Sequence, residues 1–145
     1  MEFFYSALTD VGRVRANNED AVRVDAEHGI VVLADGMGGY NAGEVASAMA
    51  VDLIVEELGR WLREAAAVAT LRDVRRAMEI CVDNANRAIF EAANTNDDCA
   101  GMGTTLVMGA VLGSTLLVGH VGDSRAYRWR AGVLTLLTRD HSLLQ

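Results

Sequence analysis

The sequence contains no proline, only two cysteines and only three histidines. Without proline, every reversal of the chain must be made by Gly, Asn or Asp. Cys81 and Cys99 stand alone, at no ligand-like spacing, which argues against a zinc cluster or a disulfide framework and fits a reduced, cytoplasmic setting. Cys81 falls on an apolar helical face and reads as core. No apolar run is long enough to span a bilayer, and "MEFFYSALTD" has neither the basic start nor the apolar centre of a secretory leader. Basic charge is scarce too: 13 Lys and Arg stand against 20 Asp and Glu, a net charge of -7. That balance argues against a nucleic-acid partner. Finally, the glycine-rich loop "GMGGYNAG" has no lysine, so it lacks the Gly-Lys-Ser/Thr that a nucleotide-binding P-loop requires.

What is present suits one domain of 145 residues, 51% of them hydrophobic. Phe3 to Leu8 and Ala21 to Asp25 read as short strands around the polar stretch "TDVGRVRANNED". Gly29 to Ala34 is almost continuously apolar, which predicts a strand covered on both faces. Asn41 is placed to cap a helix, with Glu44 as its capping-box partner. Val45, Met49, Leu53, Ile54, Leu58 and Leu62 then recur at helical spacing. Thr70 and Asp73 form a second capping box, ahead of a stripe from Leu71 through Val74, Met78, Cys81, Val82, Ala85 and Ile89 to Ala92. "NTNDDCAGMG" reads as a polar loop. Beyond Gly103 the period turns β-like, with tight hairpins predicted at Gly113-Ser114 and Ala131-Gly132. The pattern is α+β, with antiparallel sheet and the helices segregated to one side.

The chemistry concentrates where "VVLADGMGGYNAGEVAS" passes from a buried strand into Asp35 and then four glycines within eight residues. Glu19, Asp20 and Asp123 are further acids at strand ends. Two carboxylates at about 4 Å repel by roughly 1 kcal/mol in water and about 4 kcal/mol at an effective dielectric of 20, so a cluster of them calls for a cation. Oxygen ligands without His or Cys point to Mg²⁺ or Mn²⁺. In this reading Asp35 bridges two ions and Gly36 offers its carbonyl. Arg15 is placed to fork a phosphate.

"RVRANNEDA", "LADGMGGYNAGEVAS", "GMGTTL" and "VGHVGDSRAYRWR" together closely resemble the bacterial branch of the PPM (PP2C-type) metal-dependent serine/threonine protein phosphatases, in the family's order along essentially the whole chain. The resemblance implies an α-β-β-α sandwich of antiparallel sheets flanked by helices, with a two-metal site at one end. It implies Asp35 as bridging ligand, Gly36 as a carbonyl ligand, Glu19 and Asp20 as holders of metal-bound water or auxiliary ligands, Arg15 as phosphate binder and Asp123 at a third, looser metal. It further implies a water nucleophile bridging two Mn²⁺ or Mg²⁺ ions, phosphoserine and phosphothreonine substrates, and Hanks-type Ser/Thr kinases and their targets as partners.

The sequence departs from the family in two ways. Met37 stands where eukaryotic relatives carry a histidine proposed as general acid, which leaves His120 and His141 as candidates. The family's two further aspartates, in Ser-Asp-Gly and Asp-Asn motifs, are missing, so residues 1–145 read as one PPM-type domain incomplete at its C-terminus. Such a chain is expected to be nearly silent alone and prone to oligomerise through uncovered sheet. The rival reading is a truncated or degenerate module that binds metal or phosphoprotein without turnover. Taken singly, each residue has a duller role: Asp35 a turn aspartate, Glu19 and Asp20 solvated charges, Arg15 a surface charge, Asp123-Ser124-Arg125 a turn with a local ion pair, His120 a packed strand residue, His28 a surface turn.

Overall fold

The computed structural model describes residues 1–65 and 67–142. Its centre is an antiparallel sheet ordered β1 (Asp20–Asp25), β2 (Ile30–Met37), β4 (Leu106–Leu112), β5 (Thr115–Val121), with the short β3 (Gly103–Thr104) also pairing with β2. Two long helices, α1 (Ala42–Ala65) and α2 (Leu71–Thr95), follow β2. A separate hairpin of β6 (Tyr127–Arg130) and β7 (Val133–Leu136) forms its own two-stranded sheet. The α+β expectation holds. Both predicted hairpins are two-residue turns at the predicted dipeptides, and Gly113 (φ 61°), Ala131 (φ 50°) and Gly132 (φ 79°) take the left-handed backbone there.

One sheet face builds the core. Strand alternation turns Ile30, Val32, Ala34, Leu106, Met108 and Ala110 toward the helices, where all are buried. They meet Ala46, Ala50, Val51, Ile54, Val55 and Leu58 of α1, and Val74, Met78, Cys81 and Ala85 of α2 contribute from beyond. The stripe of α1 is rotated relative to the predicted one. Small residues on Ala46, Ser47 and Ala50 face the sheet, while Val45 is exposed. The stripe of α2 falls as predicted except at Leu71, which is exposed. Its capping box forms in full, the Thr70 hydroxyl accepting from the Asp73 amide and the Asp73 carboxylate from the Thr70 amide. Burial pushes the Cys81 thiol up to about 12, in keeping with a core role.

Five expectations fail or need amending. Phe3 to Leu8 forms no strand: among the described residues it has no ladder partner, and Phe4 and Leu8 project into solvent. The apolar run of β2 is covered on one face only, with Leu33 and Met37 exposed on the other. Asn41 does precede α1, but its side-chain oxygen accepts from Asn17 Nδ2 at 2.8 Å instead of capping the helix with Glu44. "NTNDDCAGMG" is a polar connection as read, but its first two residues still belong to α2 and the rest is tied down. Asn96 caps a 3₁₀ turn (Asp97–Cys99), and Cys99 and Met102 are anchored in the core. His28 is half-buried, its Nδ1 2.7 Å from Asp25 Oδ2.

The outer face of the sheet carries Val22 and Val24 of β1, Val31 and Leu33 of β2, Val107 and Val111 of β4, and Leu116 and Val118 of β5, as the strand registers require. Among the described residues no second layer covers it. The acidic positions lie at one end of this face.

Candidate metal centre

The geometry of the centre starts from a close approach between β2 and α1. A Cβ on Gly36 would fall 1.8 Å from the Gly43 carbonyl oxygen, and a Cβ on Gly43 would fall 2.8 Å from Cδ of Glu19. Only glycine permits this contact, which seats the first turn of α1 directly on the end of β2. The Gly36 amide donates to the Glu19 carbonyl at 2.9 Å. The strand therefore continues through Asp35 and Gly36 to Met37, where the sequence suggested a loop after Ala34.

Asp20 pairs in register with Asp35 across β1 and β2, so both carboxylates rise from the same outer face. Glu19, one residue earlier, points the other way, and its carboxyl lies against Gly43 in the first turn of α1, where the partial positive charge of a helix N-terminus favours an anion. The acidic pair "ED" is thus split between two faces. Asp123 lies in the turn after β5, exposed, and Arg15 in the loop before β1. Both are near enough to act on Asp35. Partial desolvation, the charge and hydrogen bond of Asp20, and the charge of Asp123 raise the Asp35 carboxyl above the ordinary 3.8, with Arg15 opposing them. Arg15 makes no hydrogen bond or ion pair of its own among the described residues.

The predicted residues are therefore brought together as Asp20, Asp35, Asp123 and Arg15, with Gly36 adjacent and Glu19 behind. Among the described residues, no group of three or more His, Cys, Asp or Glu side chains gathers tightly enough to hold a metal ion. The set fits a hard divalent cation in its chemistry, being all oxygen and mutually repelling, but falls short of a full ligand set among the described residues.

Other assignments change. Arg125 does not pair within its own turn; it makes a two-pronged contact with Asp140, 2.9 Å to Oδ1 and 2.7 Å to Oδ2, which holds the Asp140 carboxyl below its usual range. Met37, facing Gly103 across the β2–β3 pairing, has no proton to donate. His120 and His141 stack with ring centroids 4.8 Å apart. His120 Nε2 donates to the Arg139 carbonyl at 2.7 Å, and His141 Nδ1 accepts from the Gly122 amide at 3.2 Å. Each candidate acid thus spends one ring nitrogen on holding backbone. Sequence reasoning gave no role to Thr105, and to Ser124 only a place in a turn, yet their hydroxyls lie 2.6 Å apart; the signals were their places within "GMGTTL" and "VGHVGDSRAYRWR".

The chain is similar to known proteins along nearly its whole length. Residues 12–143 match the family model described as protein phosphatase 2C. The chain is 40% identical over 139 residues to the serine/threonine phosphatase stp of Listeria innocua, covering 94% of this chain and 54% of that protein. It is similar to the catalytic domain of the serine/threonine protein phosphatase PstP in complex with two manganese ions, with a TM-score of 0.76, 38% identity, and coverage of 92% and 54%. It is similar also to the S. agalactiae serine/threonine phosphatase, with a TM-score of 0.78, 39% identity, and coverage of 94% and 55%. The chain spans about half the length of these relatives.

Proposed function

The chain belongs to the protein phosphatase 2C family, and from that membership we propose that it carries part of a metal-dependent protein phosphatase acting on phosphoserine and phosphothreonine. The observation that carries the reading is the in-register pairing of Asp20 with Asp35, with Asp123 and Arg15 close enough to bias the ionisation of Asp35. Asp35, Asp20 and the Gly36 carbonyl are the groups that would hold two Mn²⁺ or Mg²⁺ ions, and Asp123 would serve a third. When bound, such ions supply an activated water as nucleophile and neutralise charge on the phosphoryl oxygens.

The chain's own residues do the rest. Arg15, unpaired among the described residues, is free to take two phosphate oxygens with its planar fork. Glu19 stays behind the site: its carbonyl holds the Gly36 amide and its carboxylate sits on α1. Both cysteines are free and buried, so a covalent thiol intermediate has no support in this fold. Among the described residues no helix is long and apolar enough to cross a membrane. The reading sets the reaction in the cytoplasm, on phosphoproteins made by Hanks-type Ser/Thr kinases, the kinases included.

The test is hydrolysis of a small aryl phosphate and of phosphothreonine peptides by the product of the whole reading frame that encodes this chain. Turnover is expected in Mn²⁺ or Mg²⁺, blocked by EDTA, and abolished by Asp35→Asn. Full activity in chelator, or near-normal activity of that variant, overturns the proposal.

A further inference from the structure

Asp35 and Asp123 come from segments far apart in sequence, and among the described residues neither side chain hydrogen-bonds the other's backbone. Their spacing is instead transmitted through one residue between β3 and β4. Thr105 stands opposite Asp35, where the ladder between β2 and the β3–β4 strand is interrupted. Its amide donates to the Asp35 carbonyl at 2.9 Å. The reciprocal bond is made by its side chain, since the Asp35 amide donates to Thr105 Oγ1 at 3.0 Å. The Thr105 carbonyl, which would ordinarily serve there, accepts from Thr104 Oγ1 at 2.9 Å.

The same Oγ1 lies 2.6 Å from Ser124 Oγ, one residue beyond Asp123. On the other side of Asp123, Gly122 has φ 99°, and a Cβ there would fall 2.9 Å from the Thr105 methyl carbon. His141 closes the turn from outside: its amide donates to the Gly122 carbonyl at 3.0 Å, and its Nδ1 accepts from the Gly122 amide. Thr105 therefore touches the residue on each side of Asp123 while holding the peptide of Asp35 at two points.

We propose that Thr105 is a positioning residue, whose hydroxyl, through Ser124, sets the Asp123 turn at a fixed distance from Asp35 and so couples the two acidic segments. This rests on the metal-centre reading for its purpose, but the coupling itself is a property of the backbone. Groups that orient first ligands typically change metal affinity by about 10- to 100-fold when removed. A hydroxyl shared by two partners also predicts that Thr105 and Ser124 variants will not be additive.

The experiment uses the product of the whole reading frame that encodes this chain, with Thr105→Val (shape kept, hydroxyl lost), Thr105→Ser (hydroxyl kept, methyl lost), Ser124→Ala and the Val/Ala double variant. Two quantities are read: Mn²⁺ affinity by calorimetry, and hydrogen exchange of the Asp35 amide by NMR. Thr105→Val is expected to weaken Mn²⁺ binding by about 10-fold or more and to accelerate Asp35 exchange, while amides of Ile30 to Leu33 keep their rates. Ser124→Ala should move both in the same direction, the double variant no further than the worse single, and Thr105→Ser should restore most of each. Unchanged Asp35 exchange in Thr105→Val, additive singles, or a Ser variant as defective as Val overturns the proposal. Absence of Mn²⁺ binding by the parent protein would count against the metal-centre reading alone, and the exchange arm would still decide the coupling.

Discussion

Replacing Gly36 with alanine tests the contact on which the whole centre is built. The added methyl would lie 1.8 Å from the Gly43 carbonyl oxygen, 2.5 Å from the Gly43 carbonyl carbon and 2.8 Å from the Glu19 carbonyl oxygen. All three obstacles are backbone, so no side chain can rotate away. Reaching an ordinary contact of 3.4 Å from 1.8 Å requires β2 and α1 to part by about 1.6 Å, a displacement that opens a core packed at near-crystalline density. The buried neighbours that lose contact include Ala34, Ala42 and Ala46. Overpacking typically costs 1–3 kcal/mol, and a rigid backbone obstacle belongs at the upper end, about 3 kcal/mol or more. Gly39 is the internal control, three residues on, because a Cβ there meets nothing within 4 Å. Gly39→Ala should stay within about 0.5 kcal/mol of the parent. Urea denaturation followed by circular dichroism reads both. If Gly36→Ala unfolds at the same midpoint as Gly39→Ala, the close strand–helix approach is not a determinant of this fold.

Arg15→Ala should raise KM for phosphopeptides with a modest loss of kcat, since a cationic fork acts on bound phosphate; an unchanged kcat/KM in a folded variant removes Arg15 from the site. For Asp25, burial opposes the charged form, but the hydrogen bonds and charge of His28, with the Glu27 amide, outweigh it and hold the carboxyl below 3.8. A depressed folded-state value gives stability that is present above the unfolded value and lost as pH falls through the folded one, so Asp25→Asn should flatten the loss of stability below about pH 4, and an unaltered acid-unfolding profile would refute the pairing. Alone, the 145-residue chain should bind Mn²⁺ without appreciable turnover, and saturation at 100 times Kd should add about 2.7 kcal/mol; robust hydrolysis by this chain would contradict the half-site reading. Its bare outer face and exposed β-edges should make it self-associate, and a monomer by light scattering at tens of micromolar would refute that.

What was legible in the sequence was what local chemistry decides. The Thr70–Asp73 box, the turns at Gly113-Ser114 and Ala131-Gly132, and the apolar stripe of α2 each depend on residues within a few positions of one another. Several of the failures have the opposite cause. Asn41 would cap α1 by every local rule, but Asn17, 24 residues away, takes its side-chain oxygen. Arg125 stands two residues from Asp123, but Asp140, 15 residues on, offers both carboxylate oxygens. Phe3 to Leu8 has strand composition, and composition supplies no partner.

The acidic site shows the same division within two residues. Glu19 and Asp20 look equivalent in sequence, and reading the strand from Ala21 leaves both in a loop where either can turn to an ion. The ladder begins one residue earlier, at Asp20. That single position fixes everything about the pair, because side chains alternate along a strand. Asp20 must share the face of its register partner Asp35, and Glu19 must go to the opposite face, against α1. Periodicity also explains why β2 misled. A strand apolar on both faces reads as buried on both, but the pattern reports only what a face could bury, not what covers it. The helices bury Ile30, Val32 and Ala34. Val31 and Leu33, equally apolar, lead up the other face to Asp35, so the carboxylates stand at the rim of an apolar surface. A layer placed on that surface would reach the same end of the sheet as the Asp20 and Asp35 carboxylates.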